Sequence, residues 1–149
     1  MKSQKQPLSA FFILSVCLVI LIGCDNSHER PPIKGRWYTQ SQLDMGQAVY
    51  TQHCQVCHGT NGEGTPQWRE KLSDGSYPPP PLNGTAHTWH HSLRVLMRTL
   101  ENGGKPLGGS MPGFKDTLSS KEQLAVIAYV QQFWTDEIYE TWLQRGGLK

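Results

Sequence analysis

Cys54, Cys57 and His58 offer the most specific chemistry in this chain: two thiols three positions apart, followed at once by an imidazole. Three positions is nearly one helical turn, so on the last turn of a helix both sulfurs face one way and reach one edge of a planar group. The next residue then turns a ring nitrogen toward the centre of that group. C-x-x-C-H is the spacing of covalent c-type haem attachment, in which the thiols add to vinyl groups and the histidine binds iron. Paired cysteines at this spacing also build zinc half-sites and dithiol redox centres. The first needs a second ligand pair and the second a βαβ setting, and the sequence provides neither. The other two cysteines, Cys17 and Cys24, fall in the apolar N-terminal segment. One covalent haem c is therefore the expected cofactor.

Positioning that motif requires helices, and apolar periodicity predicts four. Residues 42–54 place Leu43, Gly46, Val49 and Tyr50 on one side and deliver Cys54 at the helix end. Residues 90–102 repeat Leu93, Leu96, Met97 and Leu100 at helical spacing, which predicts one buried face and a stop at Gly103-Gly104. Ser119 and Glu122 form a capping-box signature that opens a third helix, with Leu124, Ile127, Ala128, Tyr129 and Val130, running to about Trp134. Asp136 is placed to cap a short fourth helix reaching Arg145.

Cys54 to His58, the glycine-rich run His58 to Gly64, the segment Pro80-Pro81-Leu82-Asn83-Gly84 and the late Gly109-Ser110-Met111-Pro112-Gly113-Phe114 together resemble class I cytochromes c. The resemblance covers about residues 42–135. It implies an all-α fold, three to five short helices packed around one covalently bound haem, with the N-terminal helix crossing the C-terminal helix at a glycine, here Gly46 beside Tyr50. It implies that Met111, in a loop with Gly108, Gly109 and Pro112, is the second axial ligand of the iron opposite His58. It also implies that a proline carbonyl orients the iron-bound histidine, with Pro81 the best match. The function implied is that of an electron carrier rather than an enzyme. Its partners would be redox proteins or a respiratory complex. A haem subunit of a larger oxidoreductase, and a peroxidase or gas sensor with an open iron, are the alternatives.

Other side chains compete for these roles. Met97 falls on the apolar stripe of its helix, where a core role suffices, and Met45 lies on the first helix away from an iron-facing loop. His53, His87, His90 and His91 are all available as ligands. Three histidines within five residues, His87, His90 and His91, also raise a second metal site such as copper, although a helix start would point them in different directions. Residues 65–77, with Trp68, Leu72 and Tyr77, form a long loop able to cover a haem edge. The four prolines Pro78 to Pro81 suit an extended polyproline-type run.

The N-terminus reads as an export signal. Lys2 and Lys5 precede an apolar run from Leu8 to Ile22, 15 residues, short of the roughly 20 that span a bilayer. Leu21-Ile22-Gly23-Cys24 resembles the lipobox of bacterial lipoproteins, which implies cleavage after residue 23 and a lipid on Cys24; an ordinary signal peptide and an uncleaved anchor are the other readings. Asp25 resembles an inner-membrane retention signal. The expected organisation is a signal peptide over 1–23, a lipid-anchored polar tether over 24–41, a haem domain over 42–135 and a helical extension over 136–149. That arrangement predicts a protein on the periplasmic side of a bacterial membrane. Apart from Lys2 and Lys5, 12 basic residues balance 12 acidic ones, so nothing points to nucleic acid.

Overall fold

The computed structural model describes residues 32–149; the expected signal peptide, Cys24 and the first tether residues lie outside the described residues. The described chain is all-helical: α1 (Gln40–His53), α2 (Gln55–His58), α3 (Leu93–Asn102), α4 (Ser120–Gln131) and α5 (Asp136–Gln144), with single 3₁₀ turns at Thr88–His90 and Lys105–Leu107. Among the described residues the only β pairing is two isolated bridges, Pro32 with Thr39 and Tyr77 with Gly109. None of these helices is long and apolar enough to cross a membrane.

α1 begins two residues earlier than its apolar spacing predicts, because Thr39 caps it. The Thr39 hydroxyl accepts from the Gln42 N–H at 3.3 Å, and the Gln42 side chain accepts from the Thr39 N–H at 2.9 Å. α1 ends at Cys54, whose N–H still donates to the Tyr50 carbonyl, and a separate single turn, α2, carries Cys57 and His58. The attachment motif thus straddles a helix break. α4 opens on the predicted capping box, with the Ser119 N–H donating to Glu122 at 2.8 Å and the Glu122 N–H donating back to Ser119 at 3.3 Å. It stops at Gln131, and the chain turns through Trp134.

α1 and α4 pack against each other at Gly46, as the resemblance implies. A Cβ there would lie 2.1 Å from the Ala125 carbonyl oxygen and 2.8 Å from Tyr129 Cβ, so only glycine lets the two backbones approach this closely. Tyr50, one turn on, packs against Tyr129 and Phe133 with ring centroids 5.4 and 5.6 Å away.

The last part of the expected tether, residues 32–41, is folded onto the domain. Pro32 pairs with Thr39, the Ile33 N–H donates to the Tyr38 carbonyl at 2.9 Å, and the resulting hook buries Tyr38. The helical extension expected over 136–149 is present as α5, packed into the body of the domain. α5 is capped by Thr135 rather than Asp136 and buries Tyr139 and Trp142 against the hook, Leu43, Ala128 and Trp134. Arg36 clasps the two ends, its guanidinium stacked 3.9 Å from the Tyr139 ring centroid and ion-paired with Asp136. The Trp37 indole donates to Gln131 at 2.7 Å, and the Trp142 indole to the His91 carbonyl at 2.8 Å. Burial contributes roughly 1.5–3 kcal/mol for each large side chain, so this aromatic layer is a core in its own right. A second core, around Val49, Tyr50, Phe114, Leu118, Val126 and Val130, borders the cavity described next.

α3 also departs from expectation. The chain is extended at His91, so the helix starts at Leu93 rather than 90, and none of its residues is fully buried. Leu96 and Leu100 of its apolar stripe, with Val95, instead face open space, while Leu93 packs on the aromatic core.

Candidate haem site

That space is a cavity of about 1120 Å³, beyond the roughly 300–1,000 Å³ of ordinary small-molecule sites. Cys54, Cys57 and His58 line one part of it. Val95, Leu96 and Leu100 of α3, Val126, Ile127 and Val130 of α4, and Met111 and Phe114 supply most of the apolar wall. A large apolar hollow in so small a domain is explained by an apolar group that completes the core.

His58 is 7% exposed, and its Nδ1 lies 2.9 Å from the Pro80 carbonyl oxygen. An Nδ1–H donating there leaves Nε2 as the nitrogen available to a metal. Burial lowers the His58 pKa, with the Pro80 carbonyl pulling it the other way. Burial thus favours the neutral imidazole, the form that binds a metal. Pro81 does not fill the role expected of it: its carbonyl accepts from the Thr88 hydroxyl at 3.3 Å. In an extended proline run with three residues per turn, neighbouring carbonyls point in different directions, so an offset of one residue faces another wall. The register is set by glycines. Gly64, at φ +58, packs so close to Pro80 that a Cβ would fall 2.5 Å from the Pro80 carbonyl carbon, and the Leu82 N–H donates to the Gly62 carbonyl at 2.7 Å.

Cys54 and Cys57 are both free thiols. Burial, with Cys57 adding, pushes the Cys54 thiol up to about 11. The reactive thiol of a dithiol redox centre has the opposite shift. Two unpaired thiols, an imidazole with one free nitrogen and a large apolar hollow fit a c-type haem.

Met111 is half-buried and lines the cavity with His58. Its loop is pinned from several sides. The Gly104 N–H donates to the Met111 carbonyl at 2.9 Å, and the Phe114 N–H to the Leu100 carbonyl at 2.8 Å. Met97 is not among the cavity-lining residues, and Met45 is 43% exposed. Of the competing histidines, His53, His87 and His91 border the cavity and His90 does not.

His87, His90 and His91 do not all converge: the His87 and His91 rings meet edge-on with centroids 5.4 Å apart, while His90 turns elsewhere. The His87 ring stacks on Trp68 with centroids 5.0 Å apart, and His90 packs edge-on against Trp89 at 4.1 Å. Among the described residues no group of three or more His, Cys, Asp or Glu side chains is arranged to hold a metal ion. Burial lowers the pKa of both His87 and His91, and the neighbouring histidine charges add to this. From the 65–77 loop, Trp68 and Tyr77 line the cavity, whereas Leu72 points away at 49% exposure. Sequence reasoning missed Arg69, Arg98 and Thr99, which also border it. The signal for the last two was present: they are polar positions three and four residues from Val95, on the helix face that opens to the cavity.

No curated protein and no solved structure matches the chain. Residues 41–130 match the family described as cytochrome c oxidase, cbb3-type, subunit III. That stretch runs from the first residues of α1 almost to the end of α4. It contains the attachment motif, the glycine crossing and the Met111 loop, and it stops short of the aromatic hook and α5. A match over more than half of the chain, on a helical domain hollowed beside a C-x-x-C-H turn, places the protein in this family: it is a class I c-type cytochrome, built for electron transfer through covalently bound haem c.

Proposed function

We propose that the protein is a one-electron carrier with one haem, attached through Cys54 and Cys57 and ligated by His58 and Met111, tethered by a lipid on Cys24 to the periplasmic side of a bacterial membrane. The observation that carries this reading is that a carbonyl-tethered His58 and the loop-held Met111 line the same apolar cavity as both thiols. A c-type haem supplies there an iron couple that gains and loses single electrons. Pro80 fixes the orientation of His58, and the Gly104–Met111 hydrogen bond fixes the loop that presents the thioether. Apolar residues of α3 and α4 exclude water. Ligands that are fixed before and after electron transfer favour a carrier over a peroxidase or gas sensor.

The name of the matching family favours a second reading, in which the protein serves as a haem subunit of a respiratory oxidase. Eight residues on from Cys24 stands Pro32, the first described residue, so a lipid-linked Cys24 would lie within about 28 Å of it, at roughly 3.5 Å per extended residue. The domain would therefore work close to the membrane surface, within reach of either kind of partner.

Fractionation with redox titration tests this. Exported wild-type protein should partition with membranes and titrate as a single one-electron couple. Cys24→Ser should release nearly all of it, with the same spectrum and midpoint, because multiple acyl chains anchor far more firmly than one. Wild-type protein found wholly soluble and without lipid mass would refute the anchor. Release of Cys24→Ser only together with other subunits, in fixed ratio, would support the oxidase-subunit reading.

A further inference from the structure

Pro78 to Pro81 have no N–H groups, so this run can join its surroundings only through carbonyls and through the donors at its two ends. Three of the four carbonyls and both end donors are used. The Pro79 carbonyl accepts from the Thr65 N–H at 2.9 Å, that of Pro80 meets His58 Nδ1 at 2.9 Å, and that of Pro81 accepts from Thr88. At the far end the Leu82 N–H donates to Gly62. At the near end Tyr77, the last residue with an N–H before the prolines, donates to the Gly108 carbonyl at 2.8 Å.

Gly108 belongs to the loop that carries Met111. It sits in the left-handed region at φ +82, with its N–H donating to Lys105, and the next residue, Gly109, donates to the Gly104 carbonyl at 3.0 Å. Gly104 in turn donates to the Met111 carbonyl. The Tyr77 ring lies against Gly108, where a Cβ would meet Tyr77 Cδ2 at 3.4 Å. The hydrogen bonds thus run without a break from Tyr77 through Gly108, Gly109 and Gly104 to Met111. Three residues on from Tyr77, about 9 Å along a polyproline-type strand, the same segment holds His58. Proline fixes φ, so the spacer between the two contacts is stiff.

The geometry points to Tyr77 as a positioning residue for Met111: its N–H and ring brace the Met111 loop against the proline strut that orients His58 from the other side. This rests on the reading of Met111 as an iron ligand. Each loss of a brace contact raises the fraction of time the loop stands open, and the affinity for an external ligand rises in proportion.

The test measures imidazole binding to the ferric holoprotein, together with the weak long-wavelength absorption of thioether-ligated ferric haem, in Tyr77→Ala, Tyr77→Pro and Tyr77→Phe. Tyr77→Ala removes the ring and keeps the N–H, whereas Tyr77→Pro removes both the N–H and the aromatic ring. Tyr77→Ala should tighten imidazole binding about fivefold and Tyr77→Pro more than that, the scale of one and of two lost contacts, and both should weaken the absorption. Tyr77→Phe keeps both contacts and should match wild type. Tyr77 is 39% exposed, so its variants should fold. If Tyr77→Pro and Tyr77→Ala bind imidazole as wild type does, or lose only thermal stability, the brace is refuted while Met111 ligation stands. If wild type itself lacks the absorption and Met111→Ala leaves the spectrum unchanged, Met111 is not the ligand and the role of Tyr77 falls with it.

Discussion

Met111→Ala is expected to open the iron. The variant should lose the long-wavelength absorption of thioether-ligated ferric haem, bind carbon monoxide rapidly when reduced, and bind imidazole on the order of 100-fold more tightly when oxidised. The magnitude follows from population: an internal ligand that leaves the site open about 1% of the time lowers the apparent affinity for an external one about 100-fold. Peroxidase activity should rise as well, because peroxide then reaches the iron. Met111 is held by backbone hydrogen bonds from Gly104 and by packing on the core around Val126 and Phe114, so the truncated loop should keep its path. The substitution then removes a ligand without unfolding a wall. Rapid carbon monoxide binding by wild type, or a Met111→Ala spectrum identical to wild type, would transfer the sixth position to another residue or leave it vacant. Among the cavity-lining side chains, His53, His87 and His91 would be next in line.

Gly46→Ala should destabilise the holoprotein, against the sign that helix propensity alone predicts. Alanine in a helix interior is favoured over glycine by about 1 kcal/mol. Here its Cβ would stand 2.1 Å from the Ala125 carbonyl oxygen, a backbone atom that cannot rotate aside, so α1 and α4 must separate. Overpacking of this kind costs typically 1–3 kcal/mol and occasionally more. The clash is severe enough to set the net effect at about 2 kcal/mol of lost stability, a fall of about 8 °C in the thermal midpoint. A midpoint that rises, followed by the haem absorption on heating, would show that the helices do not cross at Gly46.

What was readable in advance was chemistry that lives in short spacings. Cys54, Cys57 and His58 declare themselves because the attachment reaction fixes their separation, and Ser119 with Glu122 because a capping box is closed within four residues. The missed features depend on partners far along the chain. That Trp37 and Tyr38 pack onto the domain could be expected from two large aromatics in a polar stretch, but not against what: their partner is α5, about a hundred residues away, through Arg36 with Asp136 and Trp37 with Tyr139. Pro80 could not be told from Pro81 inside four identical residues; the close approach of Gly64 and the Leu82–Gly62 hydrogen bond choose between them. The apolar stripe of α3 was visible, but a period of 3.6 says only that a face avoids water, not whether protein or cofactor covers it. Only the folded chain shows that Leu96 and Leu100 of this stripe border a hollow while Leu93 packs on protein.

The central claim is that Cys54 and Cys57 bind one haem covalently, and intact mass after denaturation tests it most directly. Protein exported from a host with haem-ligation machinery, unfolded and extracted with acidified acetone, should keep its colour and weigh the polypeptide plus one haem, and the double variant Cys54→Ala, Cys57→Ala should yield colourless protein of bare polypeptide mass. Wild-type protein that gives up all its colour to the solvent and returns the mass of the bare polypeptide would contradict the account.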